Sequence, residues 1–298
     1  MEKSIPNLVA VVGPTASGKS ALGVTLAQSL GGEIISADSR QVYHGMDIGT
    51  GKVTISEMAG IPHHLLDVAD PRDTYTVAHF VHDARDAITL IQSRNKLPIV
   101  VGGTGQYIDT LLDNISLPAV PANTALRATL AGKSTEELFE ILTAKDPIRA
   151  ASIDRRNPRR LERAIEISEA LGSVPPLAPV ESPYNVLYIG IDLPKEELNA
   201  RIAKRLSERL GTGMIEEVRN LHDKAGLSWE RLESLGLEYR FIARHLQGHL
   251  TRQEMESLLL QAIVNYASRQ MTWFRRNKRI HWVKTAAEAL DIAKKSGL

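Results

Sequence analysis

The sequence predicts an α/β protein: a P-loop-type parallel sheet core, an inserted all-helical unit and a helical C-terminal region. Three observations predict it. Short apolar runs alternate with segments of helical spacing through the first third of the chain. Two proline-rich stretches then bracket a helix-only segment, and a further apolar run at 186–191 resumes the alternation. The 298 residues are 43% hydrophobic and 24% charged, which excludes a disordered chain and supports a sizeable core.

The elements follow in order. The N-terminus, Met1-Glu-Lys-Ser-Ile-Pro, offers neither a long apolar run nor a small-residue cleavage site, and it leads straight into a strand at Leu8–Val12. Residues 19–30 have helical spacing, 33–37 read as a strand, 77–94 as a helix and 97–101 as a strand. Within 77–94, Val77, Phe80, Val81, Ala84, Ile88 and Ile91 share one stripe, as on a helix covering a sheet face. Leu117-Pro-Ala-Val-Pro121 reads as a linker, and helix follows to about Gly172. There Ser134-Thr-Glu-Glu137 forms a capping box, whose hydroxyl and carboxylate satisfy free N–H groups of a first helical turn. Val174-Pro-Pro-Leu-Ala-Pro179 through Pro183 closes the segment. The expected domains are a discontinuous core, 1–117 with 184–298, and an inserted helical unit, 118–183. After the strand at Val186–Ile191, helices start near Pro194, read as a first helical position. Thr251-Arg-Gln-Glu254 is a further capping box opening a long helix towards Arg275.

Composition narrows the chemistry. Lys and Arg number 36 against 35 Asp and Glu, a formal net charge of +1, so affinity for a polyanion must come from local clusters. The absence of cysteine excludes disulfides, iron–sulfur clusters, thiolate zinc sites and a cysteine nucleophile. No apolar run approaches the roughly 18 residues of a bilayer span, so no membrane partner and a cytoplasmic location are expected.

The strongest local signal is Gly13-Pro14-Thr15-Ala16-Ser17-Gly18-Lys19-Ser20, a complete P-loop pattern between a predicted strand and a predicted helix. Its glycines let successive backbone N–H groups curl around phosphate oxygens, with the helix N-terminus aimed at the same anion. Lys19 adds positive charge and Ser20 a hydroxyl suited to Mg²⁺. On the motif alone this is an ATP-binding site, but an NTPase of this type has a later strand ending in an acid that holds Mg²⁺. Here 97–101 runs into Gly102-Gly-Thr-Gly-Gln-Tyr107, glycines and a hydroxyl in the acid's place. The strand at 33–37 leads instead into Asp38-Ser-Arg-Gln-Val-Tyr43, at the sheet edge where open α/β folds bind ligands. Spacing leaves Asp38 three roles: Mg²⁺ ligand, general base, or turn residue at a strand end.

Further motifs are Met46-Asp-Ile-Gly-Thr-Gly-Lys52, Ile61-Pro-His-His-Leu-Leu-Asp67, Asn157-Pro-Arg-Arg-Leu-Glu-Arg163 and Arg269-Gln-Met-Thr-Trp-Phe-Arg275. Together with the loop at 13–20 and the segments at 38–43 and 102–107, they resemble the bacterial tRNA dimethylallyltransferases (tRNA isopentenyltransferases, the IPP transferase family) over nearly the whole chain. The resemblance implies transfer of a dimethylallyl group from dimethylallyl diphosphate to N6 of the adenosine immediately 3′ of a tRNA anticodon, releasing diphosphate. It implies that residues 13–20 hold the prenyl diphosphate, with Mg²⁺ near Ser20. It makes Asp38 the base, lets Thr104 reach the bridging oxygen and gives Arg205 to the pyrophosphate. It places Asp38, Ser39, Arg40, Gln41, Thr104, Arg127, Arg159, Arg160, Leu161, Glu162 and Arg163 against the tRNA anticodon stem-loop. By residue type alone, Arg205 reads as a solvated helix charge and Ser39 and Gln41 as turn-capping residues. The target adenine has to leave its stack to reach Asp38.

Two basic clusters suit phosphate contacts: Arg155, Arg156, Arg159, Arg160 and Arg163, then Arg269, Arg275, Arg276, Lys278 and Arg279 interleaved with Trp273 and Phe274. Either run taken singly is a solvated face. His63-His64 reads as structural, because adjacent side chains diverge and no further ligand stands at helical spacing. Leu235-Gly-Leu-Glu-Tyr-Arg240 departs from the family's Gly directly before Tyr-Arg and is given no role. Eukaryotic members carry an added zinc-finger tail, for which this sequence has no cysteines. A monomer is expected. An adenylate dimethylallyltransferase would share the loop and Asp38 without needing the arginine clusters. A P-loop small-molecule kinase is opposed by the Gly102-Gly-Thr104 ending, and a non-catalytic RNA-binding protein leaves Asp38 unexplained.

Overall fold

Five apolar residues in a row have no polar face to offer water, and β1 (Leu8–Val12) accordingly runs fully buried through the middle of a sheet. The structure, a computed structural model, describes residues 5–113, 115, 117–176 and 181–298. Leu177, Ala178 and Pro179 of the second proline-rich stretch, and Met1 to Ser4, lie outside the described residues. The chain divides into two units, Met1–Asn114 with Glu181–Leu298, and Ile115–Val180.

In the larger unit β1 is followed by α1 (Lys19–Leu30), β2 (Gly32–Ser36), the one-turn α2 (Ile55–Met58), the short β3 (His63–His64), α3 (Val77–Ser93), β4 (Leu97–Gly102) and α4 (Gly105–Leu112). The smaller unit holds α5 (Thr124–Leu130), α6 (Thr135–Lys145), α7 (Pro147–Ser152) and α8 (Pro158–Leu171). The larger unit then resumes with β5 (Val186–Ile191), α9 (Lys195–Gly211), α10 (Met214–Asp223), α11 (Trp229–Leu235), α12 (Leu237–Leu246), α13 (Arg252–Phe274), β6 (His281–Val283) and α14 (Ala286–Lys295).

The sheet is parallel throughout, in the order β3-β2-β4-β1-β5-β6. Alternation along the strands sends Leu8, Ala10 and Val12 to the face covered by α3 and α4, and Val9 and Val11 to the face covered by α1 and α14. A third apolar cluster joins α9 to α13 and takes in Val42, Tyr43 and Met46. Register fixes the functional edge. Val12 lies opposite Gly102, and Ser36 opposite Val101, so the loops leaving β1, β2 and β4 emerge side by side.

Both expected capping boxes form, at Ser134 with Glu137 and at Thr251 with Glu254. Pro194, expected at the first helical position, is instead the N-cap of α9, where Glu196 and Glu197 occupy the first turn. The edge strands β3 and β6 have no counterpart in the sequence reading, because two or three residues are too few to display a period of two. His63 and His64 serve this edge. His63 Nδ1 pairs with Ile61 O at 2.8 Å, and His64 Nε2 meets Glu33 Oε2 at 2.8 Å.

Candidate active site

The loop between β1 and α1 turns through Gly18, whose φ of 93° suits glycine alone, and α1 begins there without a side-chain cap or an acidic residue in its first turn. Most other helices of the chain are capped by Ser, Thr, Asn or Asp side chains. The first N–H groups of α1 therefore have no side-chain acceptor, an arrangement that suits an anion. Inside the loop the Ser17 hydroxyl is buried without a hydrogen-bond partner, one of three such side-chain atoms among the described residues.

Positive charge surrounds the loop. Lys19 Nζ donates to Pro14 O at 3.3 Å. Withdrawal from water lowers its pKa to about 8, opposed by Asp38 and reinforced by Arg205 and Arg209. Arg201, Arg205 and Arg209 recur every fourth residue along one face of α9. Arg201 Nη1 reaches Ser17 O and Arg209 Nη1 reaches Gly49 O, each at 3.5 Å, while Arg205 Nη2 donates to Thr15 Oγ1. Burial brings the Arg205 pKa down to about 10, with Arg209 pushing the same way and Glu238 and Asp38 opposing. The solvated reading of Arg205 is thus corrected: helical periodicity and long-range packing turn it inward.

Asp38 stands at the end of β2. Its Oδ1 accepts the N–H groups of Arg40, at 2.9 Å, and Gln41, at 3.4 Å, so the turn role is real; Oδ2 has no hydrogen bond among the described residues. Thr104 Oγ1 accepts the Ser39 N–H at 3.1 Å, which ties the two loops together. A Cβ on Gly102 would lie 2.2 Å from Ala37 O, so no side chain, acidic or otherwise, fits there. Gln41 is held at both ends of its amide, accepting from Ser36 Oγ at 3.3 Å and donating to Gly51 O at 3.1 Å. Arg40 Nη1 turns back to Ser39 O at 3.4 Å.

The segments at 46–52 and 61–67 lie beside the Asp38 turn, where Gln41 donates to Gly51 O and accepts the Asp67 N–H at its own carbonyl. Glu217 of α10 accepts the consecutive N–H groups of Asp47, Ile48 and Gly49 at 2.9, 2.6 and 2.9 Å, together with the Tyr239 hydroxyl at 2.8 Å. Lys52 Nζ joins Asp47 and Asp67 at 2.6 Å each and Tyr43 O at 2.9 Å. The Leu235–Arg240 stretch has a place after all. Glu238 stands 3.9 Å from Arg209, and burial raises its pKa against the pull of Arg209 and Arg205. Glu238 and Arg209 were missed in the sequence; the fourfold spacing of the α9 arginines was the one available signal.

Ser20 is exposed at the start of α1, and among the described residues no group of three or more His, Asp or Glu is placed to hold a metal. This donor set fits Mg²⁺, which keeps waters and takes most ligands from a substrate's phosphates, and it suits no ion needing an all-protein cage.

In the smaller unit, Arg127 makes a two-pronged contact with Glu166 at 2.7 and 2.8 Å. Arg163 joins the same carboxylate at 3.1 Å and Val120 O at 2.8 Å. Burial alone would raise the pKa of Glu166, yet hydrogen bonds from Arg127, the Asn123 N–H and Arg163 hold it at about 2. Leu161 is fully buried, so its side chain packs the unit's core and offers no surface to RNA. Glu162 is partly exposed, and Arg155, Arg156, Arg159 and Arg160 are exposed. The second cluster differs from expectation. Phe274 is buried and packs inward, while the half-buried Trp273 donates to Asp109 Oδ2 at 2.8 Å and carries the Arg276 guanidinium over its ring. Arg275 and Arg279 pair with Asp192 and Asp113.

A family model described as IPP transferase matches residues 41–277. The tRNA dimethylallyltransferase 1 of Geotalea daltonii is 48% identical over 291 residues, 96% of this chain and 94% of its own. The tRNA dimethylallyltransferase 2 of Treponema denticola is 47% identical over 286 residues, 93% and 95% of the two chains. Among solved structures, a full-length tRNA isopentenylpyrophosphate transferase from Bacillus halodurans matches with a TM-score of 0.73 at 36% identity, covering 98% of this chain and 96% of that one. A eukaryotic dimethylallyltransferase acting on tRNA matches with a TM-score of 0.75 at 25% identity, covering 90% of this chain and 69% of that one.

Proposed function

The chain belongs to the IPP transferase family, and from that premise we propose that it transfers the dimethylallyl group of dimethylallyl diphosphate to N6 of the adenosine 3′ of a tRNA anticodon, releasing diphosphate. Dimethylallyl transfer to tRNA is the activity its relatives are named for. One observation carries the finer reading. A phosphate cradle backed by Lys19 and Arg205 opens beside a carboxylate, Asp38, and a hydroxyl, Thr104, on neighbouring loops.

Breaking an allylic C–O bond puts negative charge on the departing diphosphate. Donors fixed before that charge develops lower the barrier, and the α1 N–H groups, Lys19 and Arg205 are such donors. Thr104 Oγ1 accepts the Ser39 N–H through one lone pair and donates to no group among the described residues, so its proton is available to the bridging oxygen. Ser20 would hold a Mg²⁺ ion here, and the ion would supply charge neutralisation to the leaving diphosphate.

The adenine N6 lone pair is delocalised into the ring, so bond formation to carbon leaves an acidic N–H. Asp38 takes that proton: the N–C bond forms, the C–O bond breaks and the electron pair leaves with diphosphate. The flipped base lies against Asp38, with the Ser39 hydroxyl, which has no hydrogen bond among the described residues, at its edge. Gln41 and Arg40 hold the turn that presents Asp38. Arg159 and Arg160 supply phosphate contacts, and Arg127 and Arg163 add theirs from a geometry set by Glu166.

The test is label transfer from radiolabelled dimethylallyl diphosphate with Mg²⁺ to unmodified tRNA, AMP or no acceptor. Label in tRNA, recovered as N6-dimethylallyladenosine, is expected; label in AMP alone, or ATP hydrolysis without transfer, overturns the reading. Asp38→Asn keeps the turn acceptor and loses the base. Its kcat should fall about 10²- to 10⁴-fold with donor binding retained, and undiminished turnover would remove Asp38 from the chemistry.

A further inference from the structure

We propose that Gln270 is a positioning residue that locks the diphosphate cradle to the loop carrying Thr104, and so fixes the leaving group relative to the acceptor side of the site. The inference rests on the functional reading above. Gln270 lies near the C-terminal end of α13 and is 6% exposed, and its amide is spent on main chain from two distant parts of the sequence. Oε1 accepts the Thr15 N–H at 2.8 Å across 255 positions, and Nε2 donates to Gly103 O at 2.8 Å across 167. Thr15 is the cradle residue that receives Arg205, and Gly103 directly precedes Thr104. One side chain thus spans from the leaving-group donors to the hydroxyl beside Asp38.

The bridge demands an amide. It needs an acceptor and a donor at once, which a carboxylate of the same shape lacks and a thioether of the same length lacks twice over. The fit is close as well: a Cβ on Gly103 would stand 2.3 Å from Gln270 Nε2. The helix that carries the bridge is itself anchored one turn on, where Trp273 binds Asp109 and Phe274 is buried. A side chain that merely filled space here would be better apolar, because a buried amide stabilises only when both ends are paired.

The experiment compares the full chain with Gln270→Glu, Gln270→Met and Gly103→Ala, the last pressing on the bridge from the other side. Melting temperature, Mg²⁺-dependent binding of inorganic pyrophosphate, and kcat and KM for transfer to tRNA are measured for each. The expected result is a kcat lower by about 10²-fold per folded molecule, as for a misplaced reacting group. Pyrophosphate binding should be about fivefold weaker, as for one lost hydrogen bond, and KM for tRNA should be unchanged. Gln270→Glu should recover relative to Gln270→Met as pH falls, because a protonated carboxyl can again donate to Gly103 O. A kcat within twofold of the parent in Gln270→Met overturns the proposal, as does a loss confined to KM or explained wholly by unfolded protein. Should the parent chain bind pyrophosphate yet transfer nothing to tRNA, the functional reading fails instead, and the variants' pyrophosphate affinities still judge the bridge.

Discussion

Lys19 shows how one residue's surroundings set a measurable pH dependence. Its ammonium sits among Arg205 and Arg209 and away from water, which brings its pKa to about 8. A bound diphosphate reverses that environment and raises the value, so binding takes up a proton wherever the free protein has lost it. Pyrophosphate affinity should be level between pH 7 and about 8 and then weaken, by up to about tenfold per unit, as the pH rises through the free lysine's pKa. Calorimetry in buffers of different ionisation enthalpy would register the proton uptake. Lys19→Met should lose both the affinity and this slope, and an identical slope in the variant would assign the titration elsewhere. Lys19 and Asp38 could be singled out from local signals, a motif and a strand end, and Thr104 from the glycines after β4, whereas the roles of Asp38 and Thr104 came only from the family resemblance. Glu238 had no local signal, since only the packing of α12 against the α9 arginines gives it a charge to face.

At the scale of elements, the segment at 46–52 owes its shape to a carboxylate far along the chain. Three consecutive N–H groups, of Asp47, Ile48 and Gly49, point at Glu217, whose helix α10 packs with α12 and α9 in the same apolar cluster. The arrangement is an anion nest filled by the protein's own acid. Glu217→Ala would leave those donors and the Tyr239 hydroxyl without their acceptor, at a cost of about 2–3 kcal/mol in urea unfolding. Amide exchange at 47–49 should accelerate more than elsewhere in the larger unit; unchanged protection there would mean that the loop holds itself. The motif was visible in the sequence, but its acceptor was not, because nothing in Met46–Lys52 says that Glu217 will lie beneath it. The edge strands β3 and β6 escaped for the related reason that pairing with β2 and β5, and no internal pattern, makes them strands.

Over the whole molecule the charges nearly cancel, at +1, so a polyanion must be held by local clusters of cations, most strongly by those that internal partners leave free. Each unit carries one basic run, and the sequence could not rank them. The structure can. In the smaller unit Arg159 and Arg160 are exposed and make no ion pair among the described residues, whereas in the larger unit Arg275 and Arg279 are paired with Asp192 and Asp113. Counterion release ties each phosphate contact to the salt dependence of binding, at roughly 0.7–0.9 in the slope of log affinity against log salt. Arg159→Ala/Arg160→Ala should therefore flatten the slope for tRNA by about 1.4–1.8 and weaken binding alike for all tRNAs. Arg275→Ala/Arg279→Ala should change it by less than half as much, because those guanidiniums already have carboxylates to answer to. Filter binding of unmodified tRNA across a range of salt concentrations reads both. Equal slopes for the two double variants would mean that tRNA displaces the internal carboxylates as readily as it displaces counterions, and exposure would then cease to be the rule by which this chain's arginines are ranked.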